Sequence, residues 1–180
     1  MKFASLVSII TEPMFLVIFI AAAGGYQAGV RGILYGWYII YLLGLSLIIW
    51  LARLRFMKSM HTNWDVSDRV KRVRLLLLLL GFSAFIFLSV YVFHIPALSR
   101  FVFGLVLWLI GFFLITLKAK ISGHMAIATL AVGWFWPMVF FLPFIGWSRL
   151  VLKRHTLVEV ILGAVYSGIF VYISDFFLSY

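Results

Sequence analysis

A chain of 180 residues that is 66% hydrophobic and 11% charged, with a mean hydropathy of +1.17, lies far above the roughly 45–50% apolar content of soluble domains, so water is excluded as its main solvent. It contains no cysteine, which excludes disulfides and thiolate metal sites. The net charge of +10, from 15 Lys and Arg against 5 Asp and Glu, suits anionic headgroups, phosphorylated lipids or a cytoplasmic face.

No linker-like segment or internal repeat interrupts the chain, so a single membrane domain over residues 1–180 is expected. About 20 apolar residues in a helix cross a hydrocarbon core of roughly 30 Å. Runs of that kind predict spans over Met14–Val30, Ile33–Ala52, Leu75–Phe93, Phe101–Leu117 and Thr156–Ile173. Trp37, Trp50, Tyr91 and Tyr180 stand near their ends, where aromatic belts form. Lys2 and Ala21-Ala22-Ala23 loosely imitate a signal peptide, but Glu12-Pro13 breaks the pattern. The expectation is a retained first helix, with residues 1–11 at the interface and Pro13 in its first turn. Glu12 and Asp175 fall near span ends, where solvation is cheap, and are assigned no chemistry.

The longest polar segment, Arg53–Arg74, holds His61, Asp65, Asp68, Arg69, Lys71 and Arg72. Its plainest reading is a solvated basic loop. His94, Pro96 and Arg100 form the next turn and carry no assigned role.

Two motifs interrupt the apolar pattern in the last third. One is Lys118-Ala-Lys120-Ile-Ser122-Gly123-His124; the other is Ser148-Arg149, followed after five residues by His155. Each joins a histidine to phosphate-binding residue types. Arginine offers a planar fork, serine a hydroxyl, and glycine a close approach of backbone N–H groups. A helix starting at His124 would add an anion site at its N-terminus. His155 and Glu159 are one helical turn apart, so the carboxylate can hold one imidazole N–H and leave the other ring nitrogen as nucleophile. A lone histidine at a membrane interface is usually structural; two, each beside Ser and with Arg or Lys close by, point to phosphate chemistry.

These residues resemble the type 2 phosphatidic acid phosphatase, or lipid phosphate phosphatase, superfamily. Its Pro-Ser-Gly-His motif is similar to Ile121-Ser122-Gly123-His124. Its Ser-Arg, five residues, His, three residues, Asp motif is similar to Ser148-Arg149, His155 and Glu159, with Glu for Asp. The family's first motif, Lys, six residues, Arg-Pro, is not present in that form. Asp65-Val-Ser-Asp68-Arg69-Val-Lys71-Arg72 stands near its place and looks like the basic segment of a short membrane subfamily.

The resemblance implies that His155 attacks phosphorus to form a phosphohistidine, that Glu159 orients it, and that His124 protonates the leaving oxygen. It implies phosphate binding by Arg149, Ser122, Gly123, Lys120, Ser148, Arg69 and Arg72, with no cofactor, no metal and no nucleic acid. The partner is a lipid phosphate: a polyprenyl or isoprenoid (di)phosphate, favoured slightly because no soluble headgroup domain is present, or a phosphatidic-acid-like glycerolipid. The competing expectations are a non-catalytic phospholipid-binding or lipid-transport protein that keeps the phosphate site, and a structural membrane protein with accidental motifs.

Both histidines can meet one phosphate only from one side of the membrane. The 23 residues of Met125–Trp147 therefore cannot form a simple crossing. They are expected to bend at Trp136-Pro137 into two limbs of roughly 17 Å each, covered by other helices. The expected fold is all-α: a polytopic membrane helix bundle of about six transmembrane helices, with residues 125–147 as a short helical hairpin between the catalytic motifs. Counting crossings leaves only Arg31 and Arg100 opposite the motifs. Setting aside the phosphate ligands Arg69, Arg72, Lys120 and Arg149, nine basic residues stand against two, which predicts a cytoplasmic active site.

Overall fold

The computed structural model describes residues 2–27, 29–60, 68–92 and 96–178, and every regular element among them is helical. In chain order these are α1 (Lys2–Ile10), α2 (Pro13–Gln27), α3 (Gly32–Ser59), α4 (Arg69–Val92), α5 (Pro96–Thr116), α6 (Gly123–Trp134), a 3₁₀ helix (Trp136–Phe141), α7 (Leu142–Val151) and α8 (Leu157–Leu178). Three helical stretches are long and apolar enough to cross a membrane: Lys2–Gln27, Gly32–Ser59 and Val70–Val92. Phe101–Thr116 and Leu157–Ile173 are shorter apolar helices. Large side chains such as Ile33, Leu34, Trp37, Phe85 and Tyr172 face outward, an apolar exterior suited to hydrocarbon.

The basic segment after the second span differs from the loop expected there. α3 continues past Ala52 and takes in Arg53, Arg55 and Lys58, because Arg and Lys are good helix formers and neither Gly nor Pro intervenes. α4 begins at Arg69 because Asp68 caps it. The Asp68 side chain accepts from Lys71 N–H at 3.1 Å, and its carbonyl accepts from Arg72 N–H at 3.0 Å. Charge ends a hydrophobic run without ending a helix. His61, Asp65, His94 and Tyr180 lie outside the described residues.

The chain forms two compact units, residues 1–23 with 120–180, and residues 24–119. In the second, α4 and α5 pack side by side and α3 lies on α4. In the first, α6 runs closely along α8, α1 lies on α7, and α7 contacts both α6 and α8. Ala126, Ala128 and Ala131 are fully buried on α6; with such small side chains two helices can approach closely.

Residues 125–147 do not form one helix. α6 ends at Trp134, and Phe135, at φ −146° and ψ 87°, turns the chain away. Pro137 then sits in the first turn of the 3₁₀ helix, where its missing N–H costs no hydrogen bond. α7 follows and packs back against α6.

Candidate active site

Ser122 is the N-cap of α6, and its hydroxyl oxygen accepts from Met125 N–H at 3.4 Å. Gly123 and His124 are therefore the first two helical residues, at the end of α6 where the helix dipole is positive. The start of α6 is strapped to α8 by main chain: Ser122 N–H donates to the Glu159 carbonyl at 2.9 Å. A Cβ placed on Gly163 would come within 2.6 Å of the Ser122 carbonyl oxygen. Only glycine at position 163 allows the start of α6 to sit this close to α8.

The second motif is shaped by the end of α7. Arg154 N–H donates to Arg149 O at 3.1 Å and Lys153 N–H to Leu150 O at 2.9 Å, the paired bonds of a Schellman turn. Lys153 occupies its left-handed position at φ 53°, where glycine is the usual residue. The turn folds the chain back so that His155 N–H also reaches Arg149 O, at 3.4 Å. Lys153→Gly is expected to stabilise the protein by up to about 1 kcal/mol, read as a higher melting temperature in detergent.

α8 opens with a capping box, Thr156-Leu-Val-Glu159. Glu159 N–H donates to Thr156 Oγ1 at 3.3 Å, and Thr156 N–H donates to Glu159 Oε2 at 3.3 Å. The same Oε2 lies 2.7 Å from His155 Nδ1 and 3.4 Å from Lys120 Nζ. One carboxylate thus caps the helix, holds the imidazole and pairs with an ammonium group. The capping box gives a physical reason for glutamate at this position, since its side chain is long enough to reach back one turn to the Thr156 N–H. Lys120 Nζ is fixed from its other side by the Arg154 carbonyl at 3.1 Å.

Arg149 is 1% exposed, and its guanidinium donates to Ser8 Oγ on α1 at 2.7 Å. His124 Nε2 stands 4.0 Å from Glu12 Oε2, with both side chains nearly buried. Ser148 is fully buried and its hydroxyl donates to the Ile145 carbonyl at 2.8 Å, so its proton is committed within α7.

The first unit therefore gathers Lys120, Ser122, Gly123, His124, Ser148, Arg149, His155 and Glu159 around the facing starts of α6 and α8 and the end of α7. No family model matches the chain, and no curated protein or solved structure matches it either. Chemistry and geometry alone carry the reading of this site. Arg72 lies in the first turn of α4, in the second unit, and the Arg69 side chain is outside the described residues.

Two polar residues at the site escaped the sequence reading. Glu12 is not a solvated span end but is 5% exposed and faces His124, and Ser8 receives the Arg149 guanidinium. A signal for Glu12 existed: it is one of only 5 acidic residues, set in an apolar segment, where an ionisable group is costly unless paired or functional. Ser8, in an ordinary apolar run, carried none.

Proposed function

We propose that this protein is a membrane lipid-phosphate phosphatase. It hydrolyses a phosphomonoester or diphosphate of a lipid, a polyprenyl or isoprenoid (di)phosphate or a phosphatidic-acid-like glycerolipid, through a phosphohistidine on His155. The observation that carries this reading is the 2.7 Å contact between His155 Nδ1 and Glu159 Oε2. A proton held on Nδ1 by the carboxylate makes Nε2 the attacking nitrogen.

His155 Nε2 attacks phosphorus as the bond to the lipid oxygen breaks, and His124 donates a proton to that leaving oxygen. Water then attacks phosphorus with His124 as base, the P–N bond breaks, and inorganic phosphate leaves with both imidazoles restored. Arg149, Lys120 and the N-terminal end of α6 supply positive charge where the phosphoryl oxygens gather negative charge. The lipid tail remains among apolar helices. In the fuller form of this reading the chain is a polytopic bundle of about six transmembrane helices, α6 and α7 form a re-entrant hairpin, and the site faces the cytoplasm. The charge bias of nine against two supports that orientation.

Glu159→Gln keeps a capping-box residue but removes the charge, so the helix is expected to hold while kcat falls on the order of 10²- to 10⁴-fold. The test of the intermediate is rapid quenching with substrate labelled in the phosphoryl group. Label that survives alkali, is lost in acid and maps to the peptide carrying His155 is expected; label on another residue, or none during turnover, overturns the covalent step.

A further inference from the structure

The turn between α1 and α2 places a second carboxylate–imidazole pair at the site. Thr11 N–H closes the last turn of α1 onto Val7 O at 2.9 Å and Glu12 N–H bonds Ile9 O at 3.2 Å. The Glu12 carbonyl then receives Phe15 and Leu16 N–H at 2.9 and 3.3 Å, so Glu12 stands where an N-cap stands, immediately before Pro13. Ser8 and Glu12 are four residues apart, and each meets one of the two motifs: Ser8 meets Arg149, Glu12 meets His124. A carboxylate this buried is costly without an opposite charge, and its placement at a helix N-terminus is favourable.

We propose that Glu12 is a positioning residue for the general acid His124, a role that rests on the phosphatase reading above. At 4.0 Å from Nε2 the contact is an ion-pair distance, longer than a direct hydrogen bond. Glu12 is thereby the counter-ion of the imidazolium, the form of His124 that gives up a proton. Protonation matters when the leaving group is an alkoxide and matters little when it is a stable aryloxide. The role of Glu12 therefore shows as a dependence on leaving group.

The experiment compares turnover of a lipid monophosphate with that of p-nitrophenyl phosphate in detergent, for the wild type, Glu12→Gln, Glu12→Asp, His124→Gln and the double Glu12→Gln/His124→Gln variant. The ratio of lipid to aryl turnover is expected to fall about 10-fold or more in Glu12→Gln and His124→Gln, to recover in part in Glu12→Asp, and to fall no further in the double variant than in His124→Gln. Equal losses on both substrates in Glu12→Gln would make Glu12 a structural residue, and unchanged turnover of both substrates would make it a bystander. Either result overturns the proposal while leaving the phosphatase reading in place. A wild-type protein that turns over neither substrate overturns both.

Discussion

His155→Ala is expected to reduce phosphate release from lipid phosphates by at least about 10³-fold, the scale on which loss of a nucleophile leaves only binding and electrostatic catalysis. The variant is expected to fold. His155 stands just before the α8 capping box, and the helix start depends on Thr156 and Glu159, which remain. The imidazole also leaves behind a Glu159 carboxylate still paired with Lys120 at 3.4 Å, so no buried charge is stranded. Retention of affinity for a lipid phosphate, measured by protection against thermal unfolding, alongside loss of turnover would separate chemistry from binding. Turnover within a few-fold of wild type would remove His155 from the reaction.

Gly163→Ala is expected to have the largest effect of any single-methyl change in the first unit. The added Cβ would lie 2.6 Å from the Ser122 carbonyl oxygen and 3.3 Å from Ala126 N. Both are main-chain atoms that cannot rotate aside, so α6 and α8 must separate. Overpacking of this kind costs about 1–3 kcal/mol. The same displacement would stretch the 2.9 Å bond from Ser122 N–H to Glu159 O and move His124 relative to His155. A near-attack geometry tolerates little misplacement, and a shift of about 1 Å costs on the order of 10²-fold in rate. Melting temperature and lipid phosphate turnover should fall together. As a control, Gly168→Ala on the same helix meets no atom within 4 Å and should lower neither, since alanine is the better helix former.

Much of this arrangement was legible in the sequence because it rests on local patterns. Long apolar runs marked α2 to α5 and α8, and Pro137 marked the region in which α6 gives way to α7. The spacing of His155 and Glu159 pointed to their contact, but its cause differs from the helical pair expected. His155 precedes α8, which begins at Leu157, and it is the capping-box turn at Thr156 that brings Glu159 Oε2 to the imidazole. Helix ends were less legible: the charged residues Arg53 to Lys58 and Arg69 to Arg74 read as loop, although they extend α3 and α4.

Contacts made across the chain left weaker traces. Ser8 and Arg149 are 141 positions apart, and nothing around Ser8 distinguishes it from any other serine in an apolar helix. Gly163 looks like one more small residue of a membrane helix until the Ser122 carbonyl is found against it. Glu12 was readable in principle, as a carboxylate in an apolar segment, but only the position of His124 shows what it faces. Sequence spacing reveals partners one turn apart, whereas the packing of α1 on α7 and of α6 on α8 reveals the rest.

The most direct test of the central claim is inorganic phosphate release by purified wild-type protein and His155→Ala in detergent with EDTA. The panel holds polyprenyl diphosphate, polyprenyl phosphate and phosphatidic acid. Release from at least one lipid by the wild type, undiminished by EDTA and lost in His155→Ala, is the expected result. No release from any of the three by folded wild-type protein, or equal release by His155→Ala, would contradict a phosphatase built on His155; binding without turnover would instead support a lipid-binding or transport role.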